Sequence, residues 1–312
     1  MLDFSNSKIL IVGDVMLDKY YFGKVDRISP EAPVPIVNIQ KEESRLGGAS
    51  NVANNIVSLG GHSLLCGVIG HDLFGKEIER ISRHKNIDTF LLKTSSPTIT
   101  KARIIGGKQQ IVRVDYEDKS ELNTDNKKLF RDTISRILPE YDILVISDYG
   151  KGLISEDLCR YLIKLAHKYD KQVIIDHKGK NWEKYSGADI VTPNVKELSD
   201  IVGYTVPNTD RAIEKAAREA ITNNHLTALL VTRSDKGMSL IGPIPPIHIP
   251  THSEEVFDVS GAGDTVVATL GLCLAAGFEI SEAMRTANIA AGIVVKKVGT
   301  ATLTIEELVQ QK

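Results

Sequence analysis

The chain has 312 residues, enough to bury a full core as one large domain or two small ones. Its 38 Lys and Arg against 40 Asp and Glu leave a formal charge of -2, which excludes a global field directed at nucleic acid or an anionic membrane, so any phosphate binding has to be local. No run reaches the length of a membrane span, and the apolar run at 9–12 is too short for a signal-peptide core. Cys66, Cys159 and Cys273 lie far apart in apolar surroundings, as reduced, buried thiols of a cytoplasmic protein do.

Apolar runs of strand length alternate with helical patterns along nearly the whole chain, which predicts βαβ units and a parallel sheet covered on both faces. Strands are expected at 8–12, 63–69, 143–147, 172–176, 189–192 and 228–232. Helices are expected at 49–59, 74–84, 125–138, 156–169, 210–223 and 282–297. Two segments break the rhythm. Residues 20–45 hold Pro30, Pro33 and Pro35 and an alternating pattern over 34–39, and residues 98–115 read as a hairpin around Gly106 and Gly107. Together they predict a small antiparallel sheet projecting from the main one, as a lid or an edge extension.

Ligands in open α/β sheets bind beyond the carboxyl ends of the strands, so the polar residues there are the candidates. Asp14 follows the first strand, with Asp18 four residues on; Asp148 follows 143–147; Asp176 and Lys178 follow 172–176; Asn194 and Glu197 follow 189–192. Each alone is an ordinary cap or turn residue, and their recurrence at one edge raises them together. Gly47-Gly48 opens a helix and puts Asn51 on its first turn, where it caps the helix or bonds a sugar hydroxyl. Lys101 and Arg103 share a strand face, where they either form an ordinary solvated face or bind a phosphate on the substrate. Arg113 joins them only if the hairpin turn has odd length, because a two-residue loop at Gly106-Gly107 puts it on the other face.

Residues 70–77, G-H-D-L-F-G-K-E, nearly satisfy the P-loop pattern but end on Glu77 where a magnesium-binding hydroxyl is needed, so they read as a strand-to-helix turn. Asn194 and Glu197, three apart on one face, suit a hydrated magnesium ion. The turn from Thr232 to Gly237, T-R-S-D-K-G, is placed to touch nucleotide phosphates. The strongest stretch is F-D-V-S-G-A-G-D-T-V at 257–266. Gly261 and Gly263 permit close backbone approach, and the apolar run over 265–277 reads as a buried helix starting near Gly261, whose unpaired N–H groups suit an anion. Asp264 in that first turn is either favourable dipole chemistry or a carboxylate facing a bound anion. The flanking glycines and Thr265 favour the second.

The G-A-G-D cradle, Gly47-Gly48 with Asn51, N-x-x-E at Asn194 and T-R-S-D-K-G at Thr232 resemble the ribokinase-like (PfkB) family of sugar kinases over essentially the whole chain. G-D-V-M-L-D from Gly13, R-I-S-P-E-A-P-V-P from Arg27, K-A-R-I-I-G-G-K-Q-Q from Lys101, S-D-Y-G-K-G from Ser147 and K-V-G-T-A-T from Lys297 are similar to the subgroup acting on D-glycero-D-manno-heptose 7-phosphate. The resemblance implies one three-layer α/β/α domain over 1–312 with a mostly parallel central sheet and a small antiparallel β lid formed by 17–46 and 97–116. It implies ATP- and Mg²⁺-dependent phosphorylation of the heptose at O1, in ADP-heptose and lipopolysaccharide core synthesis. Ribose, fructose or fructose 6-phosphate kinases, or a non-catalytic sugar-phosphate sensor, are the alternatives. Asp264 would then be the base and Gly261, Ala262 and Gly263 the anion hole. Asp14, Asp18, Gly48, Asn51, Lys101, Arg103, Arg113 and Asp148 fall on the sugar side. Asn194, Val195, Lys196, Glu197, Thr232, Arg233, Ser234, Gly237 and Asn288 fall on the nucleotide side, with Glu197 reaching Mg²⁺ through water. A monovalent cation such as K⁺, a cytoplasmic location and a homodimer built through the lid complete the expectation.

Two departures from the family pattern stand out. The cradle reads D-V-S-G-A-G-D where many relatives have Thr before the first Gly, a tolerable change because backbone does the binding. His177 stands where Pro is usual, which leaves the contact made by Lys178 open. The subgroup's kinase is often fused to a C-terminal adenylyltransferase. The sequence has no H-x-G-H motif, so a stand-alone kinase or a kinase half is expected.

Overall fold

The computed structural model describes residues 2–179, 181–251 and 256–311. The apolar runs form a nine-stranded sheet among these residues, in the order β13-β12-β11-β10-β9-β8-β1-β4-β5. Its centre is β1 (Lys8–Gly13), β4 (His62–Gly70), β5 (Asp88–Thr94), β8 (Ile143–Ser147), β9 (Gln172–Asp176), β10 (Ile190–Val191) and β11 (Ala228–Thr232), all parallel. The edge strands β12 (Met238–Ile241) and β13 (Ile247–Ile249) are antiparallel. A strand covered on both faces reads as a continuous apolar run, which is why β1 and β8 were legible. Alternate residues of β1 feed two cores, Ile9 and Ile11 on one face, Leu10 and Val12 on the other.

Helices α1 (Ala49–Ser58), α7 (Ala262–Ala275) and α8 (Ile280–Val294) cover the first face, with the C-terminal α9 (Ile305–Gln311) packed on α8. Helices α3 (Thr124–Ile137), α4 (Glu156–Lys168) and α6 (Asp210–Asn224) cover the second. Helix α2 (Leu73–His84) follows β4, and its cap, Asp72, accepts the Gly75 N–H at 2.8 Å, so residues 70–77 are a strand-to-helix turn. Helix α5 (Val195–Val202) begins at Asn194.

The lid is a four-stranded sheet in the order β3-β2-β6-β7. Strands β2 (Val15–Ile28) and β3 (Pro35–Gly48) pair antiparallel, as do β6 (Thr100–Gly106) and β7 (Gln109–Tyr116). The seam between the two hairpins, β2 on β6, is parallel. The predicted turn at 106–107 sits one residue further on, at 107–108, and a bulge at Ile111 then shifts the register so that Arg103 faces Arg113. The expectation that a two-residue loop puts Arg113 on the opposite face is therefore corrected by the bulge. Only Asp14 separates β1 from β2, and β3 runs directly into α1. The lid is thus continuous with the strand and the helix that carry the site.

Candidate active site

The site forms where β1, α1 and the start of α7 meet. Asp14 is buried at the end of β1. Its Oδ2 accepts the N–H groups of Tyr149 at 2.8 Å and Lys151 at 3.0 Å, while Oδ1 has no partner. Burial, and then the negative charge of Asp148, push its pKa up to about 6. Gly48 caps α1 at φ 55°, and a Cβ there would lie 2.6 Å from the Asp14 carbonyl oxygen, so glycine is required where lid and helix join.

Helix α1 brings in Asn51, whose Nδ2 donates to Asp264 Oδ2 at 2.7 Å. The same two helices are tied a turn further along, where Thr265 Oγ1 donates to Asn55 Oδ1 at 2.9 Å. Asp264 is 3 % exposed in the first turn of α7, and burial raises its pKa against the opposing hydrogen bonds of Asn51 and Tyr149. Gly261 caps α7 at φ 79°, with a would-be Cβ only 2.8 Å from Asn51 Nδ2. In front of Gly263 a Cβ would meet nothing within 4 Å, which leaves open space at the helix start for an anion. The Ala262 N–H is turned to the Val259 carbonyl at 3.2 Å, a long bond. Asp258 pins the approach to the cradle by accepting from Ser260 N–H at 2.9 Å and Gly299 N–H at 2.7 Å.

Tyr149 is the functional residue that sequence reasoning passed over. Its phenol donates to Asp264 Oδ1 at 2.8 Å, so both oxygens of that carboxylate are engaged. The Nζ of Lys101 lies 5.6 Å and that of Lys178 5.8 Å from its ring centroid. The S-D-Y-G-K-G segment was the available signal, and only its Asp148 was taken up. Asp148 is buried with its carboxylate on the Tyr185 hydroxyl at 2.7 Å, the Gly150 N–H at 2.9 Å and the Lys184 ammonium, so it anchors the loop that carries Tyr149.

On the lid, Arg103 Nη1 pairs with Asp18 Oδ1 at 2.5 Å, and burial pulls the Lys101 pKa down. Arg113 faces Arg103 but is exposed and paired with Asp115 at 2.8 Å. Arg45 joins the lid to the cradle, donating from Nη1 to the Val298 carbonyl at 2.7 Å.

On the other side, Asn194 and Glu197 form a capping box, each side chain accepting the other's N–H at 2.9 Å. The second Glu197 oxygen accepts from Lys178 Nζ at 2.7 Å. Asn194 bridges Thr232, so the two expected nucleotide-side segments adjoin. Arg233 is 3 % exposed and bound to Asn208 at 2.9 Å, Asp210 at 2.5 Å and Ser239 at 2.9 Å, and it braces its own turn. Ser234 and Gly237 take positive φ there, and a Gly237 Cβ would lie 2.0 Å from the Ile249 carbonyl oxygen. Asn288 Nδ2 holds the Pro250 carbonyl at 2.7 Å, and Val195 and Lys196 lie in the first turn of α5. Asp176 is raised in pKa by burial and by the charge of Asp264.

No group of three or more His, Cys, Asp or Glu among the described residues is arranged to hold a metal. An ion such as Mg²⁺ keeps its waters and is carried largely by phosphates, so it needs no such cage. A cavity of about 600 Å³ adjoins Asp14 and is lined also by His71, Thr94, Asn126 and Lys151, apart from Asp264.

Residues 6–307 match the profile of the pfkB family carbohydrate kinases. The chain is 46% identical over 308 residues to the bifunctional protein HldE of Haemophilus influenzae strain PittEE, covering 98% of this chain and 63% of that protein. It is 45% identical over 310 residues to HldE of Vibrio vulnificus, covering 99% and 64%. The chain therefore spans less than two thirds of the length of these relatives. Among solved structures, phosphofructokinase-2 from Escherichia coli in complex with potassium superposes with a TM-score of 0.80 at 20% identity over 97% of both chains. Arabidopsis thaliana ribokinase complexed with ribose and ATP gives 0.76 at 20% over 98% of both.

Proposed function

The chain belongs to the pfkB family of carbohydrate kinases, and we propose accordingly that it transfers the γ-phosphoryl group of ATP to O1 of D-glycero-D-manno-heptose 7-phosphate. The observation that carries the chemistry is Asp264, buried at a helix start beside an open cradle and held by Asn51 and Tyr149. The choice of heptose rests on the subgroup segments from Gly13 to Lys297 and on the similarity to HldE along nearly the whole chain. It places the protein in ADP-heptose and lipopolysaccharide core synthesis, in the cytoplasm.

In this reading Asp264 accepts the proton of the attacking hydroxyl as transfer proceeds. The start of α7 from Gly261 to Gly263 offers amides to the transferred phosphoryl group. Asp14, with one unpaired oxygen, accepts from a sugar hydroxyl, and Lys101 is the cation available to the distal phosphate because Arg103 is committed to Asp18. Lys178 and the Asn194–Glu197 turn flank the nucleotide. Mg²⁺, when bound, neutralises phosphate charge, with Glu197 acting on it through water. The potassium of the phosphofructokinase-2 structure is a property of that protein and prompts a K⁺ titration here. Phosphoryl transfer consists mostly of positioning and charge stabilisation, which this arrangement supplies.

The test is ADP release with Mg-ATP against a panel of heptose 7-phosphate, ribose, fructose and fructose 6-phosphate. The heptose ester should give the highest kcat/KM. A higher value for another sugar would reassign the substrate, and binding without turnover of any would indicate a sensor.

A further inference from the structure

We propose that Tyr149 is a gate on the acceptor position. Its phenol holds the place of the sugar hydroxyl at Asp264 until sugar arrives, and so keeps water from attacking ATP. This rests on the reading of Asp264 as the base. A general base must receive a hydrogen bond from the group it deprotonates at about 2.6–3.2 Å. The Tyr149 hydroxyl makes that bond, at 2.8 Å to Oδ1. The other oxygen is taken by Asn51, which is fully buried in the first turn of α1. The replaceable partner is therefore the phenol.

The phenol is kept neutral, its pKa raised well above its ordinary value by burial and by the charge of Asp264, so it donates as a sugar hydroxyl does. The Tyr149 backbone is held on both sides, since Asp14 accepts the Lys151 N–H at 3.0 Å as well, so the motion asked of it is one of the side chain. Asp148 is anchored by Tyr185 and Lys184, and the Tyr149 N–H is held by Asp14. Gly150 follows at φ 65° with open space where a Cβ would be. The ring spans the site, with Lys101 of the lid and Lys178 of the nucleotide side both against it. Arrival of sugar at Lys101 therefore bears on this side chain.

The reaction that the gate suppresses is simple hydrolysis. The water oxygen forms a bond to the γ-phosphorus, the bond to the β–γ bridging oxygen breaks, ADP leaves, and the water proton passes to Asp264. A kinase that acts on a hydroxyl has to reject water, which has the same reacting group at far higher concentration, and occupying the position until the sugar displaces the occupant achieves this.

Tyr149→Phe keeps the ring and its cation contacts and removes only the hydroxyl. ADP release in Mg-ATP without sugar should rise about tenfold, the scale of losing one hydrogen bond to a charged group. The sugar KM should fall because its competitor is gone. Adding Asp264→Asn should return sugar-free release to baseline. Sugar-free release unchanged in Tyr149→Phe, or a gain that survives Asp264→Asn, would overturn the gate; so would a fall in kcat at constant KM, the signature of mere positioning. Failure of the base reading shows separately, as near-wild-type transfer in Asp264→Asn alone.

Discussion

Asp264 and Asp14 are buried carboxylates in a site that has to accept protons, and their surroundings set how each behaves with pH. Burial raises Asp264, so the acid limb of kcat/KM should lie above the ordinary carboxylate value of about 4, with activity lost as pH falls through the raised pKa and the base is protonated. A limb at or below that value would argue against Asp264 as the group that titrates. Replacing Asp264 with Asn should lower kcat by about a hundredfold or more. Asp14 affects stability. Its folded pKa of about 6 lies above the ordinary 3.8, so between these values the folded protein binds the extra proton and stability falls as pH rises. Asp14→Asn places an amide where the unpaired Oδ1 sits. In thermal melts it should stabilise by about 1–2 kcal/mol at pH 8, with the gain gone near pH 4, whereas destabilisation at both would contradict it. At this scale Asp264 and Asn51 were legible because glycines at helix starts mark them. Tyr149 and the bond between Tyr185 and Asp148 were not, since those two residues lie 37 apart in the chain.

The elements add constraints that no single side chain shows. Helix α7 can begin where it does only because Gly261 has no Cβ. Gly261→Ala forces an alanine to φ 79° against Asn51 Nδ2 and should cost roughly 1–3 kcal/mol of stability and reduce kcat. A variant with wild-type Tm and kcat would show that the cradle tolerates the side chain. The lid reaches the cradle through Arg45, so Arg45→Ala should raise the sugar KM more than the ATP KM. An equal effect on both would contradict lid control of the sugar. Lys101→Ala should act in the same sense. The strands of the main sheet were readable as apolar runs. The length of β2 and β3 was not, because their outer halves carry exposed polar and charged residues and two register shifts that break the alternating pattern. The Ile111 bulge, which decides where Arg113 points, leaves no mark in the hairpin's composition.

Across the whole molecule, the alternation of runs predicted a parallel sheet in three layers, while the order of its strands follows from packing that sequence separation hides. The lid exposes the apolar side chains Ile28, Val34, Ile39, Val112 and Val114, and a second copy of the chain would cover them. Analytical ultracentrifugation should find a dimer that Ile28→Asp with Val34→Asp converts to monomer, and a monomeric wild type would remove the lid interface. The central proposal, transfer to a sugar hydroxyl with Asp264 as the base, is read out by ³¹P NMR of the product. With Mg-ATP and heptose 7-phosphate, a second sugar-phosphate resonance assignable to O1 should grow with ADP, and in Asp264→Asn it should grow about a hundredfold more slowly or not at all. Inorganic phosphate in place of a bisphosphate, or equal growth in the Asn variant, would contradict it.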